Sequence, residues 1–186
     1  MKLFIKNMVC RRCAAVVEQE LKKLGLIYIA ISLGEIETLD NITLQQRAEL
    51  KTALALNGLE LMDDKKAILI ERIKIAVIEM VYYAKEAPKT NFSNYLGKKL
   101  NHNYIYLSNI FSETEHVTIE HFMLVHKIER VKELLSYNEL NLTEIAWNMH
   151  YASVAHLSRQ FKKIAGSTPS FFKSLELKKR CNIDNL

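Results

Sequence analysis

The chain has 186 residues, 49% of them hydrophobic and 25% charged, with a formal net charge of +5 at pH 7. This is enough for one medium domain or two small ones with real cores, and two prolines with five glycines exclude a disordered or fibrous chain. Met1–Lys6 holds no apolar core of signal-peptide length, so a cytoplasmic setting with reduced thiols is expected, in which Cys10, Cys13 and Cys181 are not a disulfide framework.

The first sixty or so residues read as strand, helix, hairpin, helix, strand. Leu3–Lys6 alternates as a strand. A helix from Cys13 to Leu24 carries Val17, Leu21 and Leu24 on one stripe and stops at Gly25. Ile27, Ile29, Ile31 and Leu33 alternate, turn at Gly34 and resume with Ile36 and Thr38. Thr43 and Gln46 form a capping box ahead of Leu50 and Leu54, and Asn57-Gly58 closes that helix before a short strand at Leu59–Met62. The βαββαβ order predicts a ferredoxin-like sandwich over residues 1–63.

Residues 64–90 read as a connecting helix from Lys65 to Ala87, stopped by Pro88. Leu69, Ile73, Ala76, Met80, Tyr83 and Ala87 make a coiled-coil-like seam, which Ile70, Val77 and Val81 widen toward packing on a globular neighbour. The Ile68–Tyr83 stretch is apolar, but Glu71, Arg72, Lys74 and Glu79 interrupt it, so no membrane crossing is expected.

Residues 91–186 are helical throughout: Phe92–Leu100, Asn103–Glu113, Thr118–Tyr137, Thr143–Met149, Ser153–Ala165 and Pro169 to about Lys179. The overall class is α+β, with an all-α C-terminal domain holding two helix-turn-helix units. In the second unit Thr143 is the expected N-cap, His150-Tyr151-Ala152 the break, Ser153 the next N-cap and Gly166 the stop. Val154, Leu157, Phe161 and Ile164 recur at helical spacing, with Ser158, Arg159, Lys162 and Lys163 on other faces. Seven basic residues against two acidic ones between Ala152 and Leu186 supply the whole net charge. A basic segment coinciding with a helix-turn-helix is what phosphate binding needs.

Five blocks of this half resemble the AraC family of bacterial transcription regulators: Tyr106–Phe111, Lys127–Leu135, Leu142–Ala146, Tyr151–Lys163 and Gly166–Phe172. The resemblance covers about Phe92 to Ser174. It implies two helix-turn-helices about one DNA turn apart, each entering a major groove of double-stranded DNA. It implies base contacts at Ile105, Ser108 and Asn109 in the first unit and at Val154, Ala155, Ser158 and Arg159 in the second. The chemistry adds detail: Arg159 suits guanine, Asn109 adenine, and Val154 and Ala155 thymine methyls. Ser153, Lys162, Lys163 and Lys173 are assigned to phosphates. The first reading helix lacks Lys and Arg and ends at Ser112-Glu113, so the second unit is expected to anchor and the first to add specificity weakly. Leu107, Ile145, Ala146, Trp147, Leu157 and Phe161 read as core.

Met8-Val-Cys10-Arg-Arg-Cys13, between the first strand and first helix, resembles the Met-x-Cys-x-x-Cys loop of heavy-metal-associated domains. That resemblance implies Cu(I) held by Cys10 and Cys13, a soft ion for soft thiolates. A helix N-terminus with Arg11 and Arg12 alongside is expected to lower the thiol pKa values. Zinc would need about four ligands, and all six histidines lie far off in the C-terminal half. Three roles compete for the pair: a metal- or redox-sensing input, a structural platform for homodimerisation, and a thioredoxin-type enzyme, for which the βαβ context is missing.

Paired catalytic carboxylates, a nucleophile triad and a phosphate loop are all missing, so no catalysis is expected. The reading is a sequence-specific DNA-binding transcription regulator with a metal or thiol input, dimerising through the N-terminal domain or the connecting helix. Its rival is a thiol-based metal carrier or redox protein with an appended basic domain.

Overall fold

A computed structural model describes residues 1–84 and 91–175. Pro88, the expected helix end at Ala87, Lys178, Lys179, Arg180 and Cys181 lie outside them. The protein is a mixed α/β chain, mostly helical, in two compact units. One is Met1–Ala76 with Ser93–Thr114, the other Val77–Phe92 with Glu115–Leu186. Contacts thus cut the chain differently from the division at 63/64 and 90/91 suggested by motifs.

In the first unit, β1 (Lys2–Lys6), α1 (Arg11–Lys23), β2 (Tyr28–Ser32), β3 (Glu35–Thr38), α2 (Leu44–Ala55) and β4 (Glu60–Met62) follow in sequence. The strands form one antiparallel sheet in the order β2-β3-β1-β4, with Leu3 opposite Ile36 and Ile5 opposite Leu61. The two-residue period of a strand sends Leu3 and Ile5 inward and leaves Lys2 and Lys6 exposed. Val17 and Leu21 of α1 and Leu50 and Leu54 of α2 complete the core, which also buries Met8. The expected capping box is present, with Thr43 Oγ1 accepting from Gln46 N and Gln46 Oε1 accepting from Thr43 N. The first hairpin strand departs from expectation: Ile27 and Ile29 are exposed. β2 is an edge strand with a register shift between Tyr28 and Ala30, and such a bulge re-aims the side chains beside it.

α3 (Lys65–Ile78) opens where the Asp64 carboxylate accepts from Ala67 N at 2.6 Å. Leu69, Ile70, Ile73 and Ala76 are buried, so this stretch of the seam is covered by the chain itself. Gly34, at φ 72°, lets the β2–β3 turn pass under α3: a Cβ there would sit 2.0 Å from Ile75 Cδ1. Buried Glu71 accepts from Asn7 N at 3.0 Å. α4 (Phe92–Leu100) and α5 (Tyr104–Glu115) follow, with Leu96, Leu100, Leu107, Ile110 and Phe111 buried.

The long helix does not run as a regular α-helix to Ala87. From Glu79 to Tyr83 it is a π-turn, closed by Ala84 N donating to Glu79 O, and Ala84 is extended at φ −70°, ψ 123°. Within the second unit, Tyr82 on that turn meets α6 (Ile119–Tyr137): its ring stands edge-on to His126 and under the Arg130 guanidinium. α7 (Leu142–Asn148) and α8 (Val154–Ala165) complete the unit, with a further helical turn over 169–175. Ile128, Val131 and Leu135 of α6 pack with Ile145, Ala146, Met149, Leu157 and Phe161, and Phe172 lies edge-on to Phe161. Two expectations are corrected here. The N-cap of α7 is Asn141, whose Oδ1 accepts from Thr143 N and Glu144 N, while Glu144 reaches back to Asn141 N. Trp147 is 79% exposed and is not core. Two residues past Ile145, it lies about 200° around the helix from the buried face.

Candidate nucleic-acid interface

α8 begins where the sequence says it should. Ser153 is extended, and its Oγ accepts from His156 N at 3.1 Å; Gly166 ends the helix in the left-handed region at φ 75°. At about 100° per residue, Val154, Ala155, Ser158, Arg159 and Lys162 occupy one sector, and Leu157 and Phe161 point into the core. Ala155, Arg159 and Lys162 are exposed, and Val154 and Ser158 half-buried. Lys163 is exposed on the flank shared with His156 and Gln160, whose side chains meet at 3.0 Å. Lys173 is half-buried on the 169–175 turn. Among the described residues no carboxylate pairs with Arg159, Lys162 or Lys163, so this sector is an array of open cations and small polar groups.

α5 is built on the same frame. Leu107, Ser108 and Phe111 recur in α8 as Leu157, Ser158 and Phe161, and in both helices the Leu and Phe are fully buried. Asn109 stands where Arg159 does, and Ser112-Glu113 where Lys162-Lys163 do. Ile105 is 70% exposed, Asn109 exposed and Ser108 half-buried, so the three expected readers share one side. Asn103 Oδ1 starts the helix by accepting from Ile105 N at 2.8 Å. Glu113 forms an exposed ion pair with Lys66 of α3 at 3.6 Å.

The cysteine pair lies at the start of α1. Cys10 is its N-cap residue, in extended conformation. The two Sγ atoms are 3.3 Å apart, both residues are half-buried, and Cys13 Sγ also donates to Asn7 O at 3.7 Å. The Cys10 thiol is pulled below the ordinary range, first by the Cys13 backbone N–H, then by the Cys13 side chain. The Arg12 charge contributes last, so the helix N-terminus, more than the flanking arginines, favours the thiolate. Met8 is fully buried in the core and offers no third sulfur at the surface. Among the described residues no group of three or more His, Cys, Asp or Glu is placed to hold a metal, and no helix is long and apolar enough to cross a membrane.

Sequence reasoning missed two features. Trp147 projects from α7, a position its helical phase could have revealed. Lys127 is half-buried against α7 and the Tyr151 ring, for which no local pattern gives a signal.

Residues 96–174 match the family described as Helix-turn-helix domain. An uncharacterised HTH-type transcriptional regulator of Staphylococcus aureus is 28% identical over 113 residues, 61% of this chain and 14% of that protein. Its counterpart in strain MSSA476 is 27% identical over the same shares. The chain therefore spans about 14% of the length of the curated relatives it matches. Two solved structures share the fold at a TM-score of 0.51. One is the C-terminal domain of AraT, a response regulator from Geobacillus stearothermophilus, at 21% identity over 60% of this chain and 88% of that one. The other is a DNA-binding transcriptional dual regulator from Escherichia coli K-12, at 14% identity over 59% and 93%. Residues 96–174 are thus the part of the chain that is similar to a helix-turn-helix domain.

Proposed function

We propose that the chain is a sequence-specific transcription regulator that seats α8 in the major groove of double-stranded DNA. The observation that carries this is the α8 sector: a capped helix with a buried Leu157–Phe161 side and an outward side of small groups, with Arg159 and Lys162 lacking carboxylate partners among the described residues. Arg159 forks onto guanine, and Val154, Ala155 and Ser158 allow close approach to base edges. Ser153, Lys162, Lys163 and Lys173 hold phosphates. Ile105, Ser108 and Asn109 of α5 read a second, weaker site. Selection of bound duplexes from random sequence tests this: the protein should enrich a defined site, and Arg159→Ala should lose it. Equal retention of all sequences by both proteins overturns the proposal. Affinity should also fall steeply with salt, because several cations meet phosphate.

The N-terminal segment is read as a ferredoxin-like, heavy-metal-associated-like domain; its βαββαβ order and β2-β3-β1-β4 sheet support this. Cys10 and Cys13 would hold Cu(I), which two thiolates suit and which asks for no further ligand from this loop. When bound, the ion supplies a soft Lewis acid that keeps both thiols deprotonated. Regulation by metal or thiol state separates from DNA binding in the Cys10→Ser, Cys13→Ser double variant. Duplex affinity of the metal-free protein should survive, while any response to Cu(I) disappears. Loss of all measurable activity in that variant, with duplex affinity indifferent to Arg159, would favour a thiol-based metal carrier. The homodimer is assigned to the N-terminal domain rather than to α3, whose Leu69, Ile73 and Ala76 are already covered.

A further inference from the structure

Inside the second unit lies a cavity of ≈ 460 Å³, bounded by the N-terminal half of α6, the α7–α8 turn and the flank of α8. Its polar lining includes Lys127, Lys163, His121, His150, His156 and Tyr151. Met123 and Leu124 give it an apolar wall, and the acidic residue Glu120 is exposed. The volume is that of a small-molecule site.

Lys127 is the informative residue. Its Nζ donates to Met149 O at 3.3 Å, at the carboxyl end of α7, and lies 5.2 Å from the Tyr151 ring centroid. Burial alone drives its pKa down, and among the described residues no carboxylate stands beside it. An ammonium has three donors, and the partial charge of a helix C-terminus is only about half a unit. The half-buried cation thus has no full counter-charge among the described residues, an arrangement that an anion at the same place would relieve. A second group points the same way: Tyr151 Oη is buried and has no hydrogen-bond partner among the described residues.

We propose that this cavity binds a small organic anion, a carboxylate or phosphate monoester with a short apolar body. The charged end takes Lys127, the Tyr151 hydroxyl and the histidine edges; the body lies on Met123 and Leu124. His156, Gln160 and Lys163 line the cavity from α8, so the occupant touches the flank of the helix next to the sector that carries Arg159, which lies one turn before Lys163. The site shares Lys163 with the proposed phosphate-binding residues, and none of its lining residues with the proposed base readers or the cysteine pair.

The test uses the full chain without DNA. Sodium phosphate, acetate and benzoate are titrated at matched ionic strength against sodium chloride, following the imidazole signals of His121, His150 and His156 by NMR. At least one of the three anions should give a saturable shift of His150 and His156, and uncharged benzamide should give none. Lys127→Met should weaken that binding about tenfold or more, a loss of roughly 1.4 kcal/mol, while Lys132→Met on the same helix leaves it unchanged. If Lys127→Met loses its helical circular dichroism, Lys163→Ala on the exposed rim should still weaken binding severalfold. The proposal is overturned if no anion saturates, if benzamide binds as well as benzoate, or if the histidines respond only to duplex DNA. Retained affinity in a folded Lys127→Met overturns it too, as does retained affinity in Lys163→Ala where Lys127→Met fails to fold.

Discussion

α5 and α8 are two versions of one helix. Both bury a Leu and a Phe four residues apart, and both place a Ser beside the Leu on the outward side. They differ in charge. α8 has Arg159, Lys162 and Lys163 with no carboxylate partner among the described residues, whereas α5 has Asn109, Ser112 and Glu113, the last already engaged with Lys66. The shared frame is a packing requirement, since large-to-small changes at a closed core leave a cavity. The unshared residues lie where packing imposes nothing. The comparison teaches that one motif can be kept for its core while its electrostatic role is concentrated in a single copy.

The largest effects should fall on the shared frame. Phe161→Ala should cost about 3–5 kcal/mol, and Phe111→Ala a similar amount, read as urea unfolding midpoints. A large loss at one position with none at the other would break the equivalence of the two helices. Next comes the charge difference. Arg159→Ala should weaken the selected duplex by about 1–3 kcal/mol, while Asn109→Ala at the matching place should cost roughly 1 kcal/mol or less. Equal losses in a duplex titration would mean that both helices anchor. Ser153→Ala removes the hydroxyl that caps α8 and should cost about 1 kcal/mol of stability; an unchanged melting curve would show that the α8 end is held by packing alone. The smallest effect is a gain. Glu113→Lys should raise duplex affinity by about threefold and steepen its salt dependence by roughly one unit of slope. No change in slope would place that end of α5 away from phosphate.

How much of this was legible depends on which force sets each feature. The capping box at Thr43, the Ser153 cap and the Gly166 stop are local hydrogen-bond and backbone matters, and a few adjacent letters report them. Strand alternation at Leu3–Lys6 was readable because β1 is central and one face is covered. At Ile27 and Ile29 the same alternation misled, because an edge strand with a bulge does not deliver both side chains to the core. Thr143 looked like a cap, yet Asn141 took the role with Glu144 as its partner, so two capping patterns overlapped and only geometry chose between them. Trp147 reads as core with its neighbours Ile145 and Ala146, but its phase around α7 turns it out. The helix expected to reach Ala87 changes to a π-turn at Glu79, where Tyr82 meets His126 and Arg130, a contact across distant sequence. Half-buried Lys127 belongs to the same class of feature.

The backbone of Asn7 joins two parts of the first unit. Its N–H is held by Glu71 of α3, and its carbonyl receives the Cys13 thiol. Were Cys13 to bind a metal as a thiolate, releasing its proton to solvent, that carbonyl would lose a donor and the neighbouring sulfur anion would repel it. A change of charge at one sulfur therefore becomes a tug on a backbone unit whose other end grips a helix, so the loop works as a lever with its fulcrum already in place.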